Sequence, residues 1–162
     1  SAKVKEPYKS LLFSPQYRIP LYQAVFHDEV INTHHWHSDS LKFTNVKDHR
    51  DLTAMLYNTP AMVHLTRDEA LSSSSPRLKT LKHYQDGFEP IHEQLWDKAL
   101  VDFIWLDKDG KVQQTVFDDG GKIIANFSDQ AFHQNGVDVA ATSIKAVLSN
   151  GQVVEWKPEL NY

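Results

Sequence analysis

The sequence predicts an α+β chain of two styles, an apolar strand with helices over residues 1–98 and an antiparallel β-domain over 99–162. Three observations lead there. Ile19 to Phe26 (IPLYQAVF) is apolar except for Gln23, residues 48–87 carry apolar side chains at helical spacing, and short strands alternate with glycine turns after residue 98. Hydrophobic residues are 41% and charged residues 23% of the 162, a globular balance that supports a core without disulfides.

An antiparallel strand with one wet face alternates polar and apolar residues, so the unbroken run Ile19–Phe26 reads as a strand buried on both faces, as in a parallel sheet. Asp48 to Tyr57 places Leu52, Met55 and Leu56 on one helical face, with Asp48 as the expected N-cap. Thr66-x-x-Glu69 has the spacing of a capping box and starts a short helix. The run Ser72 to Ser75 reads as a solvated linker, after which Ser75-Pro76 opens a helix carrying Leu78, Leu81 and Tyr84, with Gly87 as its expected terminator.

Ala99 to Leu106 is an apolar and aromatic strand whose Phe103 and Trp105 are expected in the core. Asp109-Gly110 turns the chain into Lys111–Phe117, and Asp119-Gly120-Gly121 turns it into Lys122–Phe127. Asn150-Gly151 joins Ile144–Leu148 to Gln152–Trp156, and the pair predicts a two-residue hairpin with positive φ at both positions. Hairpins at this spacing predict an antiparallel sandwich or half of one.

The 17 basic and 21 acidic side chains give a net charge of −4, and the basic residues are scattered, which argues against nucleic acid as a partner. No apolar run is long enough for a membrane span, and Ser1 to Ser10 holds no apolar stretch of the kind a signal peptide needs. Cysteine is absent, which excludes disulfides, thiolate zinc sites and cysteine nucleophiles. Phosphate loops, the GxSxG elbow and kinase signatures are absent too.

Chemistry concentrates in Phe26-His27-Asp28-Glu29 and Thr33-His34-His35-Trp36-His37-Ser38-Asp39. Functional groups collect where strands of α/β architectures end, which is where His27 and Asp28 fall. Three readings are open. In the first, the polar residues simply bond one another and the backbone; in the second, His34, His37 and Asp39 offer metal-ligand atoms, without the helical spacing of a zinc-protease motif; in the third, Asp28, His34, Trp36 and His37 form a sugar subsite, in which carboxylate and imidazoles take hydroxyls and the indole takes the C–H face. The third is favoured, with no metal and no cofactor expected. His92-Glu93 beside Trp96 reads as packing before chemistry, and Asp107, Asp109, Asp118 and Asp119 read as turn residues because the EF-hand order is missing.

The segment Tyr17-Arg18-Ile19-Pro20-Leu21-Tyr22-Gln23-Ala24-Val25-Phe26-His27-Asp28 resembles a late barrel strand of large bacterial glycosidases, the endo-alpha-N-acetylgalactosaminidases and related alpha-N-acetylgalactosaminidases. Asp48-His49-Arg50-Asp51-Leu52 through Leu56-Tyr57-Asn58-Thr59-Pro60-Ala61-Met62 continues the likeness. Lys111 to Gly120 (KVQQTVFDDG), followed by Ala125-Asn126-Phe127, is similar to the strand pair opening their C-terminal β-domain. The likeness covers roughly residues 11 to 130, and the histidine-rich His34 to His37 departs from it.

The resemblance implies a (β/α)8 barrel that cleaves alpha-linked GalNAc or a similar sugar with retention, through an Asp nucleophile and a Glu acid/base about 5–5.5 Å apart. Such a barrel needs at least ~200 residues. The chain is therefore expected to be the end of the barrel plus the C-terminal β-domain, with the catalytic carboxylates on earlier strands. His27, Asp28, His34, Trp36 and His37 are the expected substrate-binding residues, and carbohydrate and the rest of the parent glycosidase the expected partners. The expected location is extracellular or periplasmic. The alternative is a stand-alone carbohydrate-binding or structural β-module without catalysis, and a small metal-dependent hydrolase built on the histidines is third.

Overall fold

The computed structural model of the chain describes residues 46–60 and 66–158, so the run Ile19–Phe26 and the barrel end it predicts lie outside the described residues. Helices α1 (Lys47–Leu56), α2 (Arg67–Leu71) and α3 (Pro76–Leu95) precede seven strands. In α1 the expected face is the buried one, with Leu52, Met55 and Leu56 fully enclosed. The N-cap is Val46, which makes no side-chain cap bond, and not Asp48. The helix begins early enough to put Asp48 in its first turn, where the carboxylate meets the positive end of the helix dipole.

The capping box of α2 forms in full, Glu69 N–H donating to Thr66 Oγ1 at 3.3 Å and Thr66 N–H to Glu69 Oε2 at 2.8 Å. Ser75 caps α3, with Pro76 in the first turn. Gly87 does not end this helix, which runs eight residues further to Leu95. A Cβ on Gly87 would lie 2.2 Å from Cδ1 of Trp156, so the glycine is there to seat an indole against the helix backbone. Burial of Tyr84, Phe88, Ile91 and Leu95 outweighs the cost of Gly87 and of Pro90 inside the helix.

Strands β1 (Leu100–Trp105), β2 (Val112–Phe117), β3 (Lys122–Asn126), β6 (Ser143–Val147) and β7 (Val153–Trp156) form one sheet in the order β1-β2-β3-β6-β7. Every neighbouring pair is antiparallel, as expected for residues 99–162. Half a sandwich is the better description, because helices and not a second large sheet cover one face. Ile123, Ala125, Ile144 and Ala146 meet Leu52, Met55, Phe88, Ile91 and Leu95 in one core, which thus crosses from the helical residues to the strands. On the opposite face the ribbon of β4 (Phe132–Gln134) and β5 (Val137–Val139) packs Phe132 and Val139 on Val112 and Ile124.

The hairpins share a device that the sequence reading placed wrongly. At Asn150-Gly151 only the glycine has positive φ (86°), Leu148 N–H donates to Gln152 O, and Gly151 N–H donates to Leu148 O. This is a three-residue loop, closed by Asn150 Oδ1 accepting from Gln152 N–H at 2.9 Å. The β2–β3 turn repeats it, with Gly120 at φ 85° and Asp119 Oδ1 accepting from Gly121 N–H at 2.8 Å. The two-residue turn with both φ positive occurs at Asn135-Gly136 (53° and 77°), between β4 and β5.

Phe103 and Trp105 also differ from expectation. They lie on edge strand β1, where Phe103 is only partly buried against the core and Trp105 is 45% exposed.

Candidate functional site

His27, Asp28, His34, Trp36 and His37 lie outside the described residues, as does Asp39. The chemistry that the structure positions begins on α1 and at its C-terminal end. Lys47, Arg50 and Asp51 are all buried although charged. Lys47 Nζ lies 2.9 Å from Asp51 Oδ2 across one helical turn, and Arg50 Nε lies 4.0 Å from Asp51 Oδ1. Burial raises the Asp51 carboxyl above its ordinary value of 3.8, against the pull of Lys47 and then Arg50 toward the ionised form. The i, i+4 spacing of Lys47 and Asp51 is visible in the sequence, but their burial is not.

The chain leaves α1 through Asn58, which adopts positive φ (51°). His92 Nδ1 lies 3.1 Å from Asn58 Oδ1, and its ring stacks on Phe88 at 4.7 Å. Asn58 Nδ2 is buried without an acceptor among the described residues. Tyr84 donates its hydroxyl to Thr59 O at 3.0 Å, and burial holds that phenol well above its ordinary value, so it stays a neutral donor. His92 is thus a packing and tethering residue on α3, as expected, while Trp96 stands 63% exposed.

Two of the four aspartates, Asp107 and Asp119, act as turn residues. Asp107 Oδ1 accepts from Val112 N–H at 2.8 Å and Asp119 Oδ1 from Gly121 N–H at 2.8 Å. Among the described residues no three His, Asp or Glu side chains converge as metal ligands. No helix of the described residues is long and apolar enough to cross a membrane.

A groove of about 750 Å³ opens where the β1–β2 loop faces the turn after β3. Its walls include Trp105, Asp107 and Lys108 on one side and Ser128 to Gln130 on the other, over Val112 and Phe132. Both walls are fixed internally. Gln113 Nε2 donates to Gly110 O at 2.8 Å in the first loop. In the second, Asn126 Oδ1 accepts from Ser128 N–H at 2.9 Å and from Ser128 Oγ at 2.7 Å, while Asn126 Nδ2 donates to Gln130 O at 2.8 Å. The groove is not legible in the sequence, because its walls are two loops remote in the chain that the sheet brings together.

Comparison with known proteins places these elements in a family. Residues 1–116 match the glycosyl hydrolases related to the GH101 family, GH129. The match takes in the histidine-rich segment, α1 to α3, β1 and most of β2, and stops short of β3 to β7. No curated protein matched the chain. The resemblance to endo-alpha-N-acetylgalactosaminidases agrees with this match, which spans more than two thirds of the sequence: the chain belongs to the glycosyl hydrolases related to the GH101 family, GH129.

Proposed function

We propose that this chain serves a retaining glycoside hydrolase acting on alpha-linked GalNAc or a similar sugar, and that it supplies the active-site rim and a bracing β-domain. The observation that carries the reading is the family match over residues 1–116, which covers the whole segment from His27 to His37. In this reading Trp36 receives the C–H face of a pyranose, while Asp28 accepts hydroxyl hydrogen bonds and His27, His34 and His37 donate or accept them. The nucleophile and acid/base carboxylates sit elsewhere in the enzyme, because 162 residues are fewer than the ~200 that a (β/α)8 barrel needs.

Bracing is supported by the core that α1 and α3 share with the sheet and by the seat of Trp156 on Gly87. An enzyme cleaving such sugars on glycans works in the extracellular or periplasmic space. The test is hydrolysis of an aryl alpha-N-acetylgalactosaminide. The 162-residue chain alone gives no turnover, and a protein that joins it to a barrel does, with Trp36→Ala raising KM and sparing the melting temperature. Turnover by the chain alone would refute this division of labour. Absence of turnover from both would leave a carbohydrate-binding module.

A further inference from the structure

We propose that Asn135-Gly136, at the tip of the β4–β5 ribbon, is a self-modification site: Asn135 deamidates through a cyclic imide, while Asn150-Gly151 is protected by its own turn. The inference does not depend on the glycosidase reading. These are the two Asn-Gly pairs in the 162 residues. Glycine matters because it has no side chain to keep its amide nitrogen from the asparagine carboxamide. Asn58 and Asn126 are buried and followed by Thr59 and Phe127, whose side chains hinder the same attack.

The step needs only water. The Gly136 amide gives up its proton to solvent base, and its nitrogen attacks Asn135 Cγ. The N–Cγ bond forms, the Cγ–Nδ2 bond breaks, and Nδ2 leaves as ammonia after taking a proton from water. Water then opens the imide at either carbonyl. Cleavage of the bond from nitrogen to Cγ gives aspartate, and cleavage of the bond to the main-chain carbon gives isoaspartate. Nothing is oxidised or reduced.

The two turns hold the reacting atoms differently. At the second pair, Asn150 Oδ1 accepts from Gln152 N–H at 2.9 Å and Gly151 N–H donates to Leu148 O at 2.9 Å. The first bond fixes the carboxamide and the second occupies the proton that must leave, so both must break before attack. That hairpin also belongs to the five-stranded sheet, where Ile144, Ala146 and Trp156 are buried. Asn135 and Gly136 are both exposed, and among the described residues no hydrogen bond engages the Asn135 side chain or Gly136 N–H. Their turn joins strands of three residues each, in a two-stranded ribbon closed by Gln134 and Val137. Such a ribbon is marginal by itself, so its tip opens at low cost. Asn135 also starts from positive φ (53°), a conformation that strains any residue but glycine. Opening relieves that strain and lets the backbone rotate until Cγ meets the Gly136 nitrogen.

The test incubates the whole chain in mildly alkaline buffer and follows both Asn-Gly peptides by mass, with isoaspartate counted apart from aspartate. In the folded chain Asn135 should convert at least about tenfold faster than Asn150. In guanidinium, where neither turn exists, the two rates should agree within about threefold. Isoaspartate should appear at Asn135, because only the imide produces it. Equal rates in the folded chain, or faster conversion of Asn150, would overturn the proposal. So would an undiminished gap in guanidinium, because the selectivity would then lie in the neighbouring residues and not in the turns. Aspartate without isoaspartate would mean direct hydrolysis of the carboxamide and would overturn it too.

Discussion

On the helix side of the sheet, Ile123, Ala125, Ile144 and Ala146 are completely buried against α1 and α3. On the other side, neighbours in the same strands include Ile124, Lys145 and Glu155; Ile124 is buried under the β4–β5 ribbon, and Lys145 pairs at 3.4 Å with a largely exposed Glu155. Strand side chains alternate between faces, so adjacent residues meet different selection. Even the polar side chains of the helix side serve packing: Thr115 Oγ1 donates to Leu56 O at 2.7 Å and ties sheet to helix. The helix face holds the molecule together. The opposite face carries a smaller core, Val112 and Ile124 under the β4–β5 ribbon, and a groove lies at its loop end. The two faces should therefore respond differently to substitution.

The largest effect is expected at Gly87. Displacing the Trp156 indole costs about 3 kcal/mol or more, and Ala returns only about 1 kcal/mol of helix propensity, so Gly87→Ala should lose about 2 kcal/mol in denaturant unfolding. A stabilised Gly87→Ala would show that the indole is not tightly seated. Thr115→Val removes a buried donor and orphans Leu56 O, with an expected loss of about 1–2 kcal/mol. Gly120→Ala and Gly151→Ala meet no steric neighbour, so only their positive φ is strained, at about 1 kcal/mol each by the same assay.

These sites also show how much of the fold was legible. The helices at Leu52, Thr66 and Ser75 and the strands of the sheet follow from local spacing and caps, which act over a few residues. Gly87 was misread because its reason is Trp156, remote in sequence and adjacent in space. Asn150-Gly151 was misread because a dipeptide does not fix loop length: the pairing of Leu148 with Gln152 does. At the site level, Trp105 was misread because edge position depends on sheet order. The residues from His27 to His37 were read from chemistry and family resemblance alone.

Smaller effects sharpen the contrast. Because burial raises the Asp51 carboxyl, the native state holds its proton more tightly than the unfolded chain. Its contribution to stability is therefore greatest below 3.8 and is lost as pH rises through the elevated native value. Asp51→Asn should flatten that fall in urea titrations from acidic to neutral pH; an unchanged profile would exclude Asp51 as its source. On the opposite face, Lys145→Ala and Glu155→Ala should each change stability by less than about 0.5 kcal/mol, and a larger loss would mean that this ion pair supports the smaller core.

The helix-side core is tested most directly by two tryptophans of that face measured side by side, one at its centre and one at the β1 edge. Trp156 is buried on the helix side, donates Nε1–H to His83 O at 2.9 Å and meets Tyr84 edge-on at 5.7 Å. Trp105 projects from the same face at edge strand β1, beside Phe103, and stands half exposed. In matched denaturant unfolding, Trp156→Ala should cost about 3–5 kcal/mol and Trp105→Ala about 1 kcal/mol or less. Equal losses, or the reverse order, would contradict a core that is centred on the Trp156 seat and thins toward the β1 edge.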